Sequence, residues 1–459
     1  MSQSEFDLVI LGGGSGGYAA ALRGAQLGLS VALIEQDKLG GTCLHRGCIP
    51  TKALLHAAEV ADAVRDAAAV GVRTTFDGVD LPSVIRYRDG VVGRLYKGLQ
   101  GLVKGRGITV VPGRGRLVDG RTVEVAGERY EATRAVVLAT GSYAKTLPGL
   151  EVGGRVITSE QALGLDHVPG AVVVLGGGVI GVEFASVWRS FGAEVTVAEA
   201  LPRLVAAEDE ASSKALERAF RRRGIRIMTG SPFAAVSQSD AGVAVSLETG
   251  ERLEADLLMV AVGRGPSTAG MGFEEAGVGM EGGFITTDDR LRTTLAGVYA
   301  VGDIVRGPQL AHRGFQQGIF VAEDVAGLSP RPVDDDGIPR IAYCDPEVAS
   351  VGYTQARAEE RLGADRVEVL EYSLAGNGKS QILGTSGFVK LVREKDGPVI
   401  GVHMVGARVG ELIGEGQLVV NWEAHPEDVA WLVHAHPTQG EAFGEAIMAL
   451  AGKQLHLHA

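Results

Sequence analysis

The chain has 459 residues, 45% of them hydrophobic and 22% charged, with a formal net charge of −12. Such a length predicts two to four domains, and an acidic balance with no long basic run excludes a nucleic-acid partner. Residues 1–7 hold two acids and no Lys or Arg, and the apolar run behind them is only 8–11. This predicts neither a signal peptide nor a membrane span, and hence a cytoplasmic protein without a membrane partner.

Glycine accounts for 67 residues, about twice the usual ~7% share, with no collagen period. The excess points to tight turns and close backbone approaches, as nucleotide-binding folds require. There are three cysteines, Cys43, Cys48 and Cys344, too few for a secreted disulfide framework.

Residues 8–11 form a predicted strand. Gly12, Gly14 and Gly17 follow as G-x-G-x-x-G, then a helix to about Leu27, stopped by Gly28. A second strand, 31–34, ends in Glu35. The first glycine allows a tight turn, the second lets backbone approach a pyrophosphate, and the third lets helix and strand pack closely. The helix N-terminus offers free N–H groups to the phosphates, and the acid accepts from ribose hydroxyls.

Cys43 and Cys48 come next, in the run GGTCLHRGCIPTK of residues 40–52. A helix is predicted behind them to about Val64, with Pro50 in its first turn and Cys48 near its N-terminus, where the dipole favours a thiolate. Five helical residues rise ~7.5 Å, more than a disulfide spans, so pairing requires a break that Gly47 permits. On spacing alone, two small buried cysteines that never pair explain the sequence equally well. A metal site is not expected, because no C-x₂-C or further Cys/His cluster lies nearby.

The strand 135–138 leads into Thr140, Gly141 and Ser142. Residues 172–199 then repeat the first unit: a strand at 172–175, the glycines Gly176, Gly178 and Gly181, the stop Gly192 and the acid Glu199. Two dinucleotide sites are therefore expected. Glu199 would repel a 2′-phosphate, which favours NAD over NADP despite Arg203 four residues on. Residues 260–266 (VAVGRGP) contain Gly263. Residues 293–303 (TTLAGVYAVGD) place a strand before Asp303, and Leu310, Ala311 and His312 open a further helix. Residues 331–338, with two prolines and three consecutive Asp, make the best linker candidate. Alternating apolar segments follow. Near the end, HAHPTQGE carries His434, His436 and Glu441, with Pro437 predicted to open a helix to about Ala451. A histidine held by a carboxylate has a fixed tautomer and a competent base nitrogen.

GGTCxxxxCIPxK, placed behind an N-terminal dinucleotide fingerprint, resembles the flavin-linked pyridine nucleotide-disulfide oxidoreductases, and H-P-T-x-x-E resembles their base motif. The resemblance covers roughly residues 5–455. It implies an α/β fold: two Rossmann-like dinucleotide-binding domains plus a C-terminal α+β dimerisation domain. The divisions expected are 1–149 for FAD, 150–266 for NAD, 267–337 completing the FAD site and 338–459 for dimerisation. It also implies a redox-active disulfide, with Cys43 as the interchange thiol and Cys48 against the flavin. Lys52 would pair with Glu183 beside the flavin, and His436 with Glu441 would be the base, contributed by the opposite subunit of a homodimer. His434 would line the site. The implied FAD contacts are Gly12, Gly14, Gly17, Glu35, Lys52, Thr140, Gly141, Ser142, Asp303, Leu310, Ala311 and His312. The implied NAD contacts are Gly176, Gly178, Gly181, Glu199 and Gly263.

H-A-H-P-T is similar to the branch that oxidises dihydrolipoamide carried by a lipoyl-bearing protein of a 2-oxoacid dehydrogenase or glycine cleavage complex. The alternatives are a glutathione- or mercuric-reductase-like enzyme and a non-catalytic flavoprotein subunit of a dehydrogenase complex. Glu199 and His434 speak against a glutathione-reductase-like enzyme, and the absence of a cysteine pair in 453–459 against a mercuric-reductase-like one. One departure stands out. The family usually has Asn-Val where this chain has His45-Arg46. The expectation is that Arg46, or protonated His45, stabilises a nearby thiolate and raises the redox potential.

Overall fold

The apolar run Leu8–Leu11 is almost wholly buried because parallel strands flank it on both sides. In the computed structural model, which describes residues 3–456 (for Gln3 the backbone alone), it is the end of a strand Gln3–Leu11. The expectations for residues 1, 2 and 457–459 lie outside the described residues.

The described chain divides into two compact units. One comprises Met1–Ala53, Pro82–Lys145 and Gly263–Asp335. Its main sheet has seven strands, in the order Thr109–Pro112, Val31–Glu35, Gln3–Leu11, Glu128–Leu138, Thr122–Val125 and Gly115–Leu117. Val298–Ala300 adds in parallel to Glu128–Leu138. Strands buried on both faces read as continuous apolar runs, as in Val31–Glu35. The helix Ser15–Gln26 returns over this sheet and packs closely on the helix Ala311–Val325. A Cβ on Gly318 would lie 2.2 Å from the Gly16 carbonyl oxygen, so only glycine allows that approach.

Two segments far apart in the chain pair with each other in this unit. Ser142–Ala144 and Arg264–Pro266 form an antiparallel ribbon, Arg264 opposite Ala144 and Pro266 opposite Ser142. Thr140 Oγ1 donates to the Ser267 carbonyl at 2.6 Å, and Ser267 N–H to Gly141 O at 2.8 Å.

The other unit comprises Leu54–Leu81, Thr146–Val262 and Asp336–Ala459. A five-stranded parallel sheet runs in the order Arg226–Met228, Glu194–Ala198, Ala171–Leu175, Leu257–Val260, Val156–Thr158. The helix Val179–Phe191 follows its central strand. A three-stranded meander, Phe233–Ala255, adjoins in sequence. Beyond the boundary at Asp336, an antiparallel sheet of five strands runs Arg340–Ala342, Glu347–Gly352, Val399–Gly406, Phe388–Glu394, Val367–Ser373. The helices Val409–Asn421 and Gly440–Leu450 cover its core.

The last helix begins at Gly440, not at Pro437 as expected. Thr438 uses its N–H on the Glu441 carboxylate and its hydroxyl on the Ala435 carbonyl, so residues 437–439 form a turn ahead of the helix. No helix among the described residues is long and apolar enough to cross a membrane.

Candidate active site

The two fingerprints have the same geometry. A Cβ on Gly12 would lie 2.3 Å from Ala139 O, and one on Gly176 would lie 2.4 Å from Ala261 O. On Gly17 and Gly181 it would lie 1.8 and 1.9 Å from the carbonyl oxygens of Gly12 and Gly176. These four glycines are demanded by the protein itself. Gly14 and Gly178 differ: a Cβ there meets nothing within 4 Å, at φ −72° and −75°, values open to any residue. The remaining reason for glycine is a ligand's approach, and a pyrophosphate at a helix N-terminus fits.

The acids also match. Glu35 accepts from Gly13 N–H at 2.6 Å and Asp37 N–H at 2.8 Å. Glu199 accepts from Gly177 N–H at 2.5 Å and Leu201 N–H at 2.7 Å. Each carboxylate is thereby aimed at the glycine turn. Arg203 is directed elsewhere: its guanidinium donates to Glu208 O, Ala206 O and Ser213 Oγ at 2.7, 2.8 and 3.0 Å. Those bonds hold it within its own loop, so Glu199 is left to set the nucleotide preference.

Next to Glu35 opens a cavity of about 480 Å³, lined also by Asp37, Leu39, Tyr96, Val103 and Ile108. Two acids, Gln100 and Lys104 beside a mainly apolar lining with one aromatic ring suit a ribose and a purine base.

Cys43 ends up near Cys48 through a break in the helix. Gly41–Arg46 is one short helix, Cys48–Asp66 the next, and Gly47 lies between them at φ −144°, ψ −109°. Neither thiol is in a disulfide, and both are partly buried. A hydrogen bond with Cys48, burial and the negative charge of Cys48 push the Cys43 thiol up, while Lys52 opposes them and Asp303 adds to them. Tyr18 is pushed up to about 12 by burial and by charge at Cys43 and Cys48. Lys52 follows in the Cys48–Asp66 helix.

Asp303 stands in a short 3-10 turn after Val298–Ala300. Sequence reasoning missed what holds it. Ser142 Oγ donates to Asp303 Oδ2 at 2.5 Å, and Arg264 donates to Ser142 Oγ at 2.7 Å and Ser142 O at 2.8 Å. The arginine occupies the hydroxyl's acceptor side, so the hydroxyl proton is directed at the carboxylate. Buried Gln317 takes the Gly302 N–H at 2.7 Å and fixes the turn. Leu310 is the N-cap of the helix that Ala311 and His312 begin. Only the crossing of two ribbon strands brings Arg264 to Ser142, and no spacing in the sequence announces it.

The expectation for Arg46 needs correction. Its guanidinium sits 3.1 Å from Asp37 Oδ2, so its charge is paired with a carboxylate in the preceding loop. His45 is turned the same way, with Nε2 2.9 Å from Leu39 O and its ring edge-on to Tyr96 at 4.9 Å. A short helix turns these side chains toward the loop before it.

In the second unit, Glu183 is 3% exposed on the helix Val179–Phe191 and accepts from Tyr343 N–H at 3.0 Å. Gly263 adopts φ +107° with nothing within 4 Å of a Cβ, and its carbonyl lies in the first unit's ribbon. His436 is exposed, with Nδ1 2.8 Å from Glu441 Oε1. Glu441 also accepts from Thr438 N–H at 2.8 Å. Burial pushes the Glu441 carboxyl up, but the bonds from Thr438 and His436 outweigh it and hold the group below its ordinary value. Since a carboxylate only accepts, Nδ1 carries the proton and Nε2 is the basic nitrogen. His434 is braced instead against Glu415 Oε1 at 2.8 Å, which raises its pKa.

Residues 6–318 match the family described as pyridine nucleotide-disulphide oxidoreductase, and 338–447 match its dimerisation domain. The chain belongs to that family. A dihydrolipoyl dehydrogenase of Pseudomonas aeruginosa is 40% identical over 462 residues, 98% of each chain. One of Bacillus subtilis is 38% identical over 473 residues, 99% of each. Among solved structures, LpdA from Mycobacterium tuberculosis superposes with a TM-score of 0.90 at 27% identity, covering 97% of this chain and 99% of that one. The HOCl-induced flavoprotein disulfide reductase RclA from Escherichia coli does so at 0.86 and 27%, covering 96% and 99%. The chain is thus an FAD-containing, NAD-dependent oxidoreductase acting on sulfur groups, of two-fingerprint α/β fold with a dimerisation domain.

Proposed function

We propose that this chain oxidises protein-bound dihydrolipoamide to lipoamide with NAD⁺ as acceptor. The observation that carries the reading is the Cys43–Cys48 pair across the Gly47 break, together with a His436 whose Nδ1 is held by Glu441. Full-length relatives named dihydrolipoyl dehydrogenase support it.

His436 Nε2 takes a proton from one thiol of the substrate. The resulting thiolate attacks Sγ of Cys43 in the oxidised pair, and the bond to Cys48 breaks with Cys48 leaving as thiolate. The second substrate thiol then closes the lipoyl ring, and Cys43 leaves with the proton. The helix N-terminus at Cys48 favours the thiolate there, while the hydrogen bond with Cys48 and burial push the Cys43 thiol up. FAD, when bound, would supply the two-electron redox chemistry that links the cysteine pair to NAD⁺. Gly12, Gly14, Gly17, Glu35, Thr140, Gly141, Ser142, Asp303, Leu310, Ala311 and His312 would hold FAD. Gly176, Gly178, Gly181, Glu199 and Gly263 would hold NAD⁺. Lys52 and buried Glu183 would pair beside the flavin.

The reading includes a homodimer in which His436 serves Cys43 of the other copy, as the dimerisation domain supports. It also includes four domains at 1–149, 150–266, 267–337 and 338–459, a lipoyl-bearing partner from a 2-oxoacid dehydrogenase or glycine cleavage complex, and a cytoplasmic setting, where few cysteines and a working disulfide are expected.

The test is NAD⁺ reduction by free dihydrolipoamide with FAD-loaded dimer. Cys43→Ser should abolish it while NADH oxidation by an artificial acceptor persists. His436→Gln should lower kcat by about 10²–10⁴. Turnover with another disulfide but none with dihydrolipoamide would sink the reading in favour of a different disulfide reductase.

A further inference from the structure

His45 and Arg46 separate the two reactive cysteines, yet both side chains bond to the loop of residues 36–40. That loop joins the acid of the first fingerprint to the cysteine helix. Three contacts tie it to the fingerprint, and two of its residues line the cavity. Asp37 N–H binds Glu35 Oε1, and Gly40 N–H binds Gly13 O at 2.8 Å. Leu39 packs against Gly13, where a Cβ would meet its Cδ2 at 2.8 Å. Asp37 and Leu39 both line the cavity beside Glu35.

Three further contacts come from the cysteine helix. His45 Nε2 lies 2.9 Å from Leu39 O, and because a carbonyl only accepts, that nitrogen carries the proton and donates. The His45 ring stands edge-on to Tyr96, at an interplanar angle of 81°, and Tyr96 lines the same cavity. Arg46 pairs with Asp37 at 3.1 Å. The first repeat thus borrows its loop clamp from between the cysteines, whereas the second uses Arg203 from inside its own loop.

We infer that His45 and Arg46 are positioning residues for the adenosine end of FAD: they fix the 36–40 loop, and so Glu35, Leu39 and Tyr96, around the cavity. The inference rests on reading that cavity as part of the FAD site. His45 carries the larger share, because its bond and ring contact are partly buried. The Arg46–Asp37 pair has both side chains 48% exposed, where ion pairs contribute little.

The experiment measures how fast FAD leaves the holoenzyme, by flavin fluorescence after dilution. In parallel, it measures the equilibrium of the cysteine pair with a dihydrolipoamide/lipoamide buffer. His45→Leu should speed release about tenfold and Arg46→Val about two- to threefold, with the thiol equilibrium within twofold of wild type. Asp37→Asn combined with Arg46→Val should release FAD no faster than the worse single variant, since both break one pair. This cycle decides the matter even if His45→Leu does not fold.

Glu35→Ala separates the two levels. If it leaves release unchanged, the cavity is not the FAD site and the underlying reading fails. If it speeds release while the His45 and Arg46 variants do not, the inference alone fails. A shift in thiol equilibrium beyond threefold in either variant also overturns it, since the residues would then act on the sulfurs.

Discussion

The two fingerprint units agree to about 0.1 Å where backbone meets backbone, and part company where side chains take over. Gly12 and Gly176, like Gly17 and Gly181, sit against equivalent carbonyls at nearly identical distances, and both acids grip equivalent N–H groups. Beyond the acid, the first unit opens on a cavity next to the cysteine helix. The second runs through the Arg203 clamp to Glu208 and Asp209, which meet a polar row on the antiparallel sheet. There Glu208 bonds Arg340 at 3.2 Å as well as Ser350, and Asp209 bonds Lys390 at 2.7 Å. Ser350, His403 and Lys390 stand side by side across three strands. The comparison teaches that a repeated phosphate cradle is a matter of local backbone, while the identity of what binds is set by the loop that follows.

The most severe way to break this symmetry is at the third glycine. Gly181→Ala places a Cβ on a carbonyl oxygen. It should raise KM for NAD⁺ at least about 100-fold while flavin stays bound, because close helix–strand packing is lost in one unit only. Gly17→Ala should yield protein purified without flavin. If either variant affected both nucleotides alike, the units would not act separately.

The second glycines give a cleaner contrast. Gly14→Ala and Gly178→Ala meet no protein atom, so thermal stability should stay within about 1 kcal/mol of wild type. Affinity for FAD or NAD⁺, respectively, should fall at least about tenfold, as calorimetry or flavin release would show. Unchanged affinity would mean the phosphates do not pass there.

Glu199→Ser sharpens the difference in the acid loops. With Arg203 tied to its own loop, loss of the carboxylate should raise the ratio of kcat/KM for NADP⁺ over NAD⁺ by about tenfold, equivalent to ~1.4 kcal/mol. No change in the ratio would place the discrimination elsewhere.

The smallest effect concerns the polar row. Burial holds His403 below its ordinary 6.5, against the opposing pull of Asp209. Its Nε2 donates to Tyr353 O at 2.9 Å, and Nδ1 is buried without a partner. Lys390, Asp209 and Glu208 are the charged groups that act on it. A depressed histidine pKa means the unfolded chain binds the proton more readily below pH 6.5. The stabilisation is therefore complete above about pH 6.5 and is lost as pH falls from there toward the folded pKa. The thermal midpoint should fall between pH 7.5 and 5.5 more steeply for wild type than for His403→Gln. Equal slopes would show that the histidine is not coupled to folding.

Much of this was legible from residue order. Strand, glycines, helix and acid are short-range features with fixed intervals, and the observed Ala171–Leu175 and Val179–Phe191 follow them within a residue or two. The helix break at Gly47 was foreseeable only if the cysteines pair, because helical rise forbids close sulfurs across five residues. The pairing of His436 with Glu441 was legible for the same local reason. The direction of Arg46 was not, nor was the grip of Arg264 on Ser142, the role of Gln317 or the start of the last helix at Gly440. Each depends on which distant or turn-forming groups compete for one side chain's hydrogen bonds.

Sequence by itself determined the two dinucleotide units, a cysteine at a helix start and a histidine within reach of an acid, since these rest on backbone periodicity and neighbours within a few residues. Tertiary structure alone decided what each polar side chain does within its unit. It sent Arg46 to Asp37, Arg203 to its own carbonyls and Ser142 to Asp303. A guanidinium or hydroxyl satisfies whichever acceptor the packed strands and helices bring within reach, and that choice is made only after the chain has folded.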